Sequence, residues 1–273
     1  FSISKINLSS KSAAYTKEEL EIVIYQNNTP QKEKWDIEKM DIRMREIIEF
    51  INLNSKNENN TLIIFAETEI PYIISQSDNL LKYIQNQIDN KTSIIIGGVR
   101  KDKKNNQYFN TLFRIQKNDI YYFDKEILVP FGEYIPLKKL FPFLNKFTNG
   151  SSDFSKGKNL KRISNIFDVK FIPTICYENI FSDKIINKNN YDSDLIINIT
   201  NDSWFGKLSG PYQHFYYSTI GTIEYNKYLI RVSNNGISAI VDPSGKILAS
   251  TKLNKKNILR YNLKINKNEN LNL

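Results

Sequence analysis

A single cysteine and a single histidine stand among the 273 residues. One cysteine cannot close an internal disulfide, so no bridge reveals the redox compartment. With one histidine beside it, it makes too small a ligand set for a structural zinc site, and neither metal nor cofactor is expected. No apolar run approaches the about 18 residues that a membrane-spanning helix needs. No stretch has the layout of a signal peptide. The net charge of +9 comes from lysines scattered among Asp and Glu, without a long basic block. A basic surplus favours an anionic partner, but zinc-finger spacing, an RNP-like aromatic motif and a basic helix are all missing, which argues against nucleic acid. There is no internal repeat.

What is present is ordinary for a globular chain: 40% hydrophobic and 25% charged residues, at a length that permits one large core. The β-rich run Glu21–Gln26 reads as the first core strand. Apolar residues at Ile37, Met40, Met44, Ile47, Ile48 and Phe50 recur at helical spacing, as do Leu80, Leu81, Ile84 and Ile88 in a second helix over about 78–89. Strands are expected over Ser93–Arg100, Tyr108–Gln116, Leu195–Ile199, Tyr228–Val232 and Ile237–Val241, with a turn at Asp242–Gly245 and a closing strand over Ile258–Ile265. A helix over about 211–227 is expected to pack through Tyr212, Phe215, Tyr216, Thr219, Ile220 and Ile223. Residues 137–165 read as an inserted loop region. The alternation of strands and helices gives an α/β fold. The expected layout is a polar arm over 1–19, one catalytic domain over 20–265 and a polar tail over 266–273.

Three stretches carry candidate chemistry. Thr61–Phe65 is an apolar run that leads to Ala66 and Glu67. Lys125 lies in the apolar-flanked stretch Tyr122–Tyr134. Phe171–Ile175 is a short strand that stops at Cys176, where a sulfur would stand at the sheet rim. Each has an ordinary reading: a solvated rim carboxylate for Glu67 and for Glu69 two positions on, a snorkelling surface lysine, and a small buried hydrophobe for the cysteine. A thiol attacks as thiolate, so it needs a base in reach and positive charge to lower its pKa.

The order Glu67, Lys125, Cys176 is similar to the Glu–Lys–Cys triad of the nitrilase superfamily. The longer stretches Ala66-Glu67-Thr68, Leu128-Val129-Pro130-Phe131-Gly132-Glu133-Tyr134, Ile175-Cys176-Tyr177-Glu178 and Asn201-Asp202-Ser203-Trp204-Phe205-Gly206 resemble one branch, the apolipoprotein N-acyltransferases. Pro30-Gln31-Lys32-Glu33-Lys34-Trp35 and Ser233-Asn234-Asn235-Gly236 match as well, so the resemblance runs from about Glu21 to Leu263. It implies a single-domain α-β-β-α sandwich. It implies Glu67 as base, Lys125 with the Tyr177 backbone N–H as oxyanion donors, and Cys176 as nucleophile. Glu133 would orient Lys125 and Glu67, Tyr177 and Glu178 would support the nucleophile, and Trp35 would sit on a lid at the substrate pocket. The ordinary reading of Trp35 is a core aromatic. His214 has no role in this scheme and reads as structural. Family members often have His where this chain has Ile127, a departure that bears on head-group contacts and not on the triad.

The implied reaction is ping-pong acyl transfer through a thioester. The donor would be a phospholipid and the acceptor the N-terminal amine of a diacylglyceryl-cysteine apolipoprotein. The implied location is the bacterial inner membrane, with the catalytic domain on the periplasmic side and the membrane segments outside this chain. The alternative is an amidase of the same superfamily in which water takes the acyl group. A domain that has lost catalysis and only binds is a third reading, weakened by the presence of Glu67, Lys125 and Cys176.

Overall fold

The computed structural model describes residues 16–55, 58–75, 79–134, 153–158, 162–206 and 208–267. Two sheets form the centre. In the first, β1 (Thr16–Gln26) runs parallel to β2 (Thr61–Phe65), which runs parallel to β4 (Thr92–Asp102). The short β3 (Ile73–Ser75) pairs with the far end of β4. Then β5 (Gln107–Gln116) and β6 (Asp119–Asp124) continue antiparallel, and β13 (Asn257–Lys267) closes the other edge against β1. The second sheet has the order β12 (Ile247–Ser250), β11 (Ala239–Val241), β10 (Tyr228–Ser233), β9 (Leu195–Thr200), β8 (Val169–Ile175) and β7 (Ser164–Ile166).

Side chains alternate faces along a strand, and the sequence uses both faces. Ile22 and Ile24 of β1 join Leu62, Ile64, Ile175, Ile197, Ile199 and Ile230 in a core shared by the two sheets. Val23 and Tyr25 point the other way and meet Met44, Ile47, Phe50 and Ile51 of α1 (Ile37–Asn54), with Ile84 of α2 (Asn79–Asn86) in the same cluster. On the far side, Ile172, Ile196 and Leu229 pack with Phe215 of α4 (Gly210–Tyr225) and Ile185 of α3 (Ser182–Ile185). The result is helices, sheet, sheet, helices, with a core between the sheets and one on each outer face. No helix among the described residues is long and apolar enough to cross a membrane.

Several expectations need correction. β1 begins at Thr16, within the expected arm. The expected insert mostly lies outside the described residues, but its end at Ser164 already belongs to β7. In α1, Ile37 is 81% exposed, and the buried face runs through Arg43, Met44, Ile47, Phe50 and Ile51. The largest departure is α4. Tyr212, Tyr216, Ile220 and Ile223 are exposed, while Pro211, His214, Phe215, Ser218, Gly221 and Thr222 are buried. Small residues let this helix approach α3 closely: a Cβ on Gly221 would stand 3.2 Å from the Ser182 Cβ. The buried face of α4 is therefore the one with little apolar bulk.

Candidate active site

Glu67 follows the end of β2, Lys125 follows the end of β6, and Cys176 follows the end of β8. The two sheets face each other, so three strand ends converge. Glu67 is 6% exposed, Lys125 1% and Cys176 6%, so none is a solvated rim group. Glu69 is also fully buried, with its Oε1 accepting from Asn27 Nδ2 at 2.8 Å; the rim reading of Glu69 fails.

A charged cluster surrounds Lys125. Its Nζ lies 2.9 Å from Glu133 Oε1 and 4.0 Å from Glu67 Oε1. Asn110 of β5 joins the two carboxylates, donating to Glu67 Oε1 at 2.7 Å and to Glu133 Oε1 at 3.1 Å. Glu133 Oε2 accepts the Val129 N–H. Glu67 Oε2 is buried and has no hydrogen-bond partner among the described residues. Burial raises the pKa of Glu67, Glu133 raises it further, and Lys125, Asn110 and Lys34 pull it down; the net shift is upward. Burial by itself would strip Lys125 of its proton, but the charges of Glu133 and Glu67 and the hydrogen bond to Glu133 outweigh burial and hold it charged.

Glu67 lies where the backbone of β4 comes very close. A Cβ on Gly97 would stand 2.6 Å from Ala66 O and 2.7 Å from Glu67 Cα. The Lys125 peptide is held similarly: its N–H donates to Asn110 O and its carbonyl accepts from Gly157 N, where an added Cβ would meet Asp124 O at 2.2 Å.

Cys176 adopts φ +55, a left-handed conformation unusual for a side-chain-bearing residue, on the turn from β8 into a short 3-10 helix over Cys176–Ile180. Strained nucleophiles on such strand-to-helix turns present their reacting atom outward from the backbone. Asn198 Nδ2 donates to Cys176 O at 3.0 Å and fixes this peptide. Burial pushes the thiol up to about 12, Glu67 adds to the rise, and Lys125 and a hydrogen bond with Thr200 oppose it. The lowered thiol pKa expected from nearby positive charge is therefore not the resting condition. The cysteine rests as a thiol because the carboxylate beside it and burial outweigh the lysine.

Glu178 is wholly buried and binds backbone on two sides. Its Oε2 accepts the Ile175 N–H at 2.9 Å, while its Oε1 accepts from Glu126 N, Ile127 N and Arg162 Nη2. It thus ties the cysteine turn to the segment that carries Lys125. The Tyr177 ring packs edge-on against Phe181. The Ile127 side chain packs against the outer core of the second sheet. Trp35 is 39% exposed and is not a core aromatic.

The two motif matches outside the triad are joined to the 201–206 loop. Asn234 donates to Thr29 O at 2.8 Å and to Asn201 Oδ1 at 3.2 Å, and Asn201 donates to Gln31 Oε1 at 2.8 Å. Asp202 is buried with Arg231 Nη2 at 3.0 Å and His214 Nδ1 at 2.8 Å. The imidazole therefore serves a structural ion cluster. Burial lowers its pKa, and its Nδ1 faces both Asp202 Oδ1 and Arg231 Nη2. Asn110, Arg162, Asn198 and Arg231 escape a sequence reading because they sit inside strands or outside the motifs. A polar residue in an otherwise apolar strand, such as Asn110 or Asn198, was the available signal. No group of three or more His, Cys, Asp or Glu among the described residues could hold a metal ion.

The carbon-nitrogen hydrolase family profile matches residues 22–270. An apolipoprotein N-acyltransferase from Rickettsia typhi is 38% identical over 248 residues, covering 89% of this chain and 49% of that protein. One from Photobacterium profundum is 32% identical over 238 residues, covering 84% of this chain and 46% of its own length. The chain thus spans about half the length of these curated relatives. Among solved structures, a carbon-nitrogen hydrolase superfamily protein from Xanthomonas campestris matches with TM-score 0.67 at 15% identity, covering 90% of this chain and 91% of its own. A branch 10 nitrilase-superfamily member from Saccharomyces cerevisiae matches with TM-score 0.66 at 16% identity, with 90% of each chain covered. At such identities the likeness speaks for the fold alone.

Proposed function

This chain belongs to the carbon-nitrogen hydrolase family, and from that premise we propose that it is the catalytic part of an N-acyltransferase that completes bacterial lipoproteins. The observation that carries the reading is the convergence of Glu67, Lys125 with Glu133, and Cys176 at the ends of strands from both sheets. The names of the relatives select acyl transfer to an apolipoprotein within that chemistry.

In the first half-reaction the Cys176 thiol gives its proton to Glu67 Oε2 as sulfur attacks an ester carbonyl of a phospholipid. A buried carboxyl whose pKa is raised is suited to that exchange, since it is a stronger base than an ordinary carboxylate. The oxyanion is met by the Lys125 ammonium and the Tyr177 backbone N–H. The C–O bond breaks, Glu67 protonates the departing alkoxide, and a thioester remains on Cys176. The terminal amine of a diacylglyceryl-cysteine apolipoprotein then attacks, yields a proton to Glu67, and expels the sulfur, which takes that proton back. Glu133 and Asn110 hold the lysine and the base in register. Glu178 sets the cysteine turn against the lysine segment. Trp35 covers the acyl site, and membrane segments outside this chain place it at the periplasmic face of the inner membrane.

The test is intact-mass spectrometry of the full-length protein after incubation with phosphatidylethanolamine, with Cys176→Ser alongside. The expected result is an added acyl mass that the variant lacks and that a lipopeptide amine removes. Hydrolysis of small amides dependent on Cys176, with no acyl adduct from the phospholipid, would replace the transferase reading with an amidase.

A further inference from the structure

Lys34 is one of the largest fully enclosed side chains of the protein, 2% exposed, although it follows a surface 3-10 turn and precedes the half-exposed Trp35. A buried lysine is costly unless its ammonium is bonded. Its Nζ donates to Glu67 O at 2.9 Å and to Thr68 Oγ1 at 3.1 Å. Thr68 itself has φ +49, so the peptide after Glu67 is strained and needs a holder. The lysine backbone is anchored in turn, with Arg43 Nη1 donating to Lys34 O at 2.6 Å and Arg43 Nη2 to Glu69 O at 3.3 Å.

We propose that Lys34 is a positioning residue for the base, fixing the Glu67–Thr68 backbone through its two hydrogen bonds and bringing a second ammonium into the neighbourhood of Glu67. This rests on Glu67 acting as the base. The charged and titratable groups that face Lys34 are Glu69, Glu67, Arg43 and the Cys176 thiol, and those that face Glu67 are Lys125, Glu133, Lys34 and the Cys176 thiol. Lys34 therefore helps to keep Glu67 ionised against burial. Removing it should let Glu67 hold its proton to higher pH and move the acid limb of the rate profile upward.

The experiment follows acylation of Cys176 by p-nitrophenyl butyrate from pH 5 to 9 in the full-length protein, for wild type, Lys34→Met, Thr68→Val and Glu67→Gln, with a thermal melt of each. For Lys34→Met the expected result is a rate lowered about tenfold or more and an acid limb raised by about one pH unit. An acid limb that coincides with wild type overturns the proposal, since loss of packing alone would leave it in place. If Lys34→Met does not fold, Thr68→Val decides: it removes one acceptor but leaves every charge, so a several-fold slower rate with an unmoved limb is expected, and a wild-type rate overturns the clamp. Glu67→Gln tests the base separately; a wild-type rate there would sink the triad reading whatever Lys34 does.

Discussion

Glu178 Oε1 accepts the backbone N–H of Ile127 at 3.0 Å, so a residue next to the cysteine turn holds the segment that follows Lys125. The same carboxylate accepts from Ile175 through its other oxygen and pairs with Arg162 at 3.0 Å. Both oxygens of this wholly buried group meet donors, three at Oε1 and one at Oε2. An amide cannot substitute, because its NH2 end would face one of those donors. Glu178→Gln and Glu178→Ala should each lower stability by about 3–5 kcal/mol, the usual cost of leaving a buried partner uncompensated. Urea unfolding measures it, and a loss below about 1 kcal/mol would mean that Arg162 and the backbone donors find other partners.

A second constraint is steric. Gly97 has no room for a side chain because the obstacles are backbone: Ala66 O and Thr68 N at 2.6 Å and Glu67 Cα at 2.7 Å from an added Cβ. These are backbone atoms just past the end of β2, with Ala66 O held by the Gly97 N–H at 3.1 Å, and they cannot swing aside as a flexible side chain can. Gly97→Ala should therefore displace Glu67. The expected outcome is a fall in Cys176 acylation of about 100-fold or more, as for a misplaced catalytic group, with a stability loss of only about 1–3 kcal/mol. An active Gly97→Ala protein would show that the placement of Glu67 tolerates movement at its own Cα.

Much of this was legible in the sequence because strands end where apolar runs end. Glu67, Lys125 and Cys176 each come just after such a run, and the β-rich run Glu21–Gln26 and the apolar run Leu195–Ile199 read as strands and are β1 and β9. What could not be read has a common cause: the sequence does not say which neighbour a polar residue meets. Asn110 bridges two carboxylates from the middle of β5, and Lys34 reaches back to the base from a motif noticed for its tryptophan. In α4 apolar periodicity selects Tyr212, Tyr216 and Ile220, whereas close approach to Asn179 and Ser182 in the segment after Cys176 selects Ser218 and Gly221. Glu69 was misjudged because burial of a charge depends on a partner, here Asn27, that is distant in sequence.

The Asp202 cluster yields a prediction about pH. Burial alone would raise this carboxyl, but the charge of Arg231 and hydrogen bonds from His214 and Arg231 prevail and hold it at about 2. A carboxyl in an unfolded chain titrates near ~3.9. The folded protein therefore keeps the anion at pH values where the unfolded chain takes up a proton. The stabilisation is complete above about pH 4 and is lost as pH falls toward 2, and it amounts to about 2 kcal/mol. Urea unfolding midpoints of wild type and Asp202→Asn between pH 6 and 2.5 measure it. The variant should be clearly weaker at pH 6, where it leaves buried Arg231 without its carboxylate, and the gap between the two should narrow as the solution is acidified. Parallel loss of stability in both proteins across that interval would mean that other carboxylates govern the acid limit and that Asp202 titrates alike folded and unfolded.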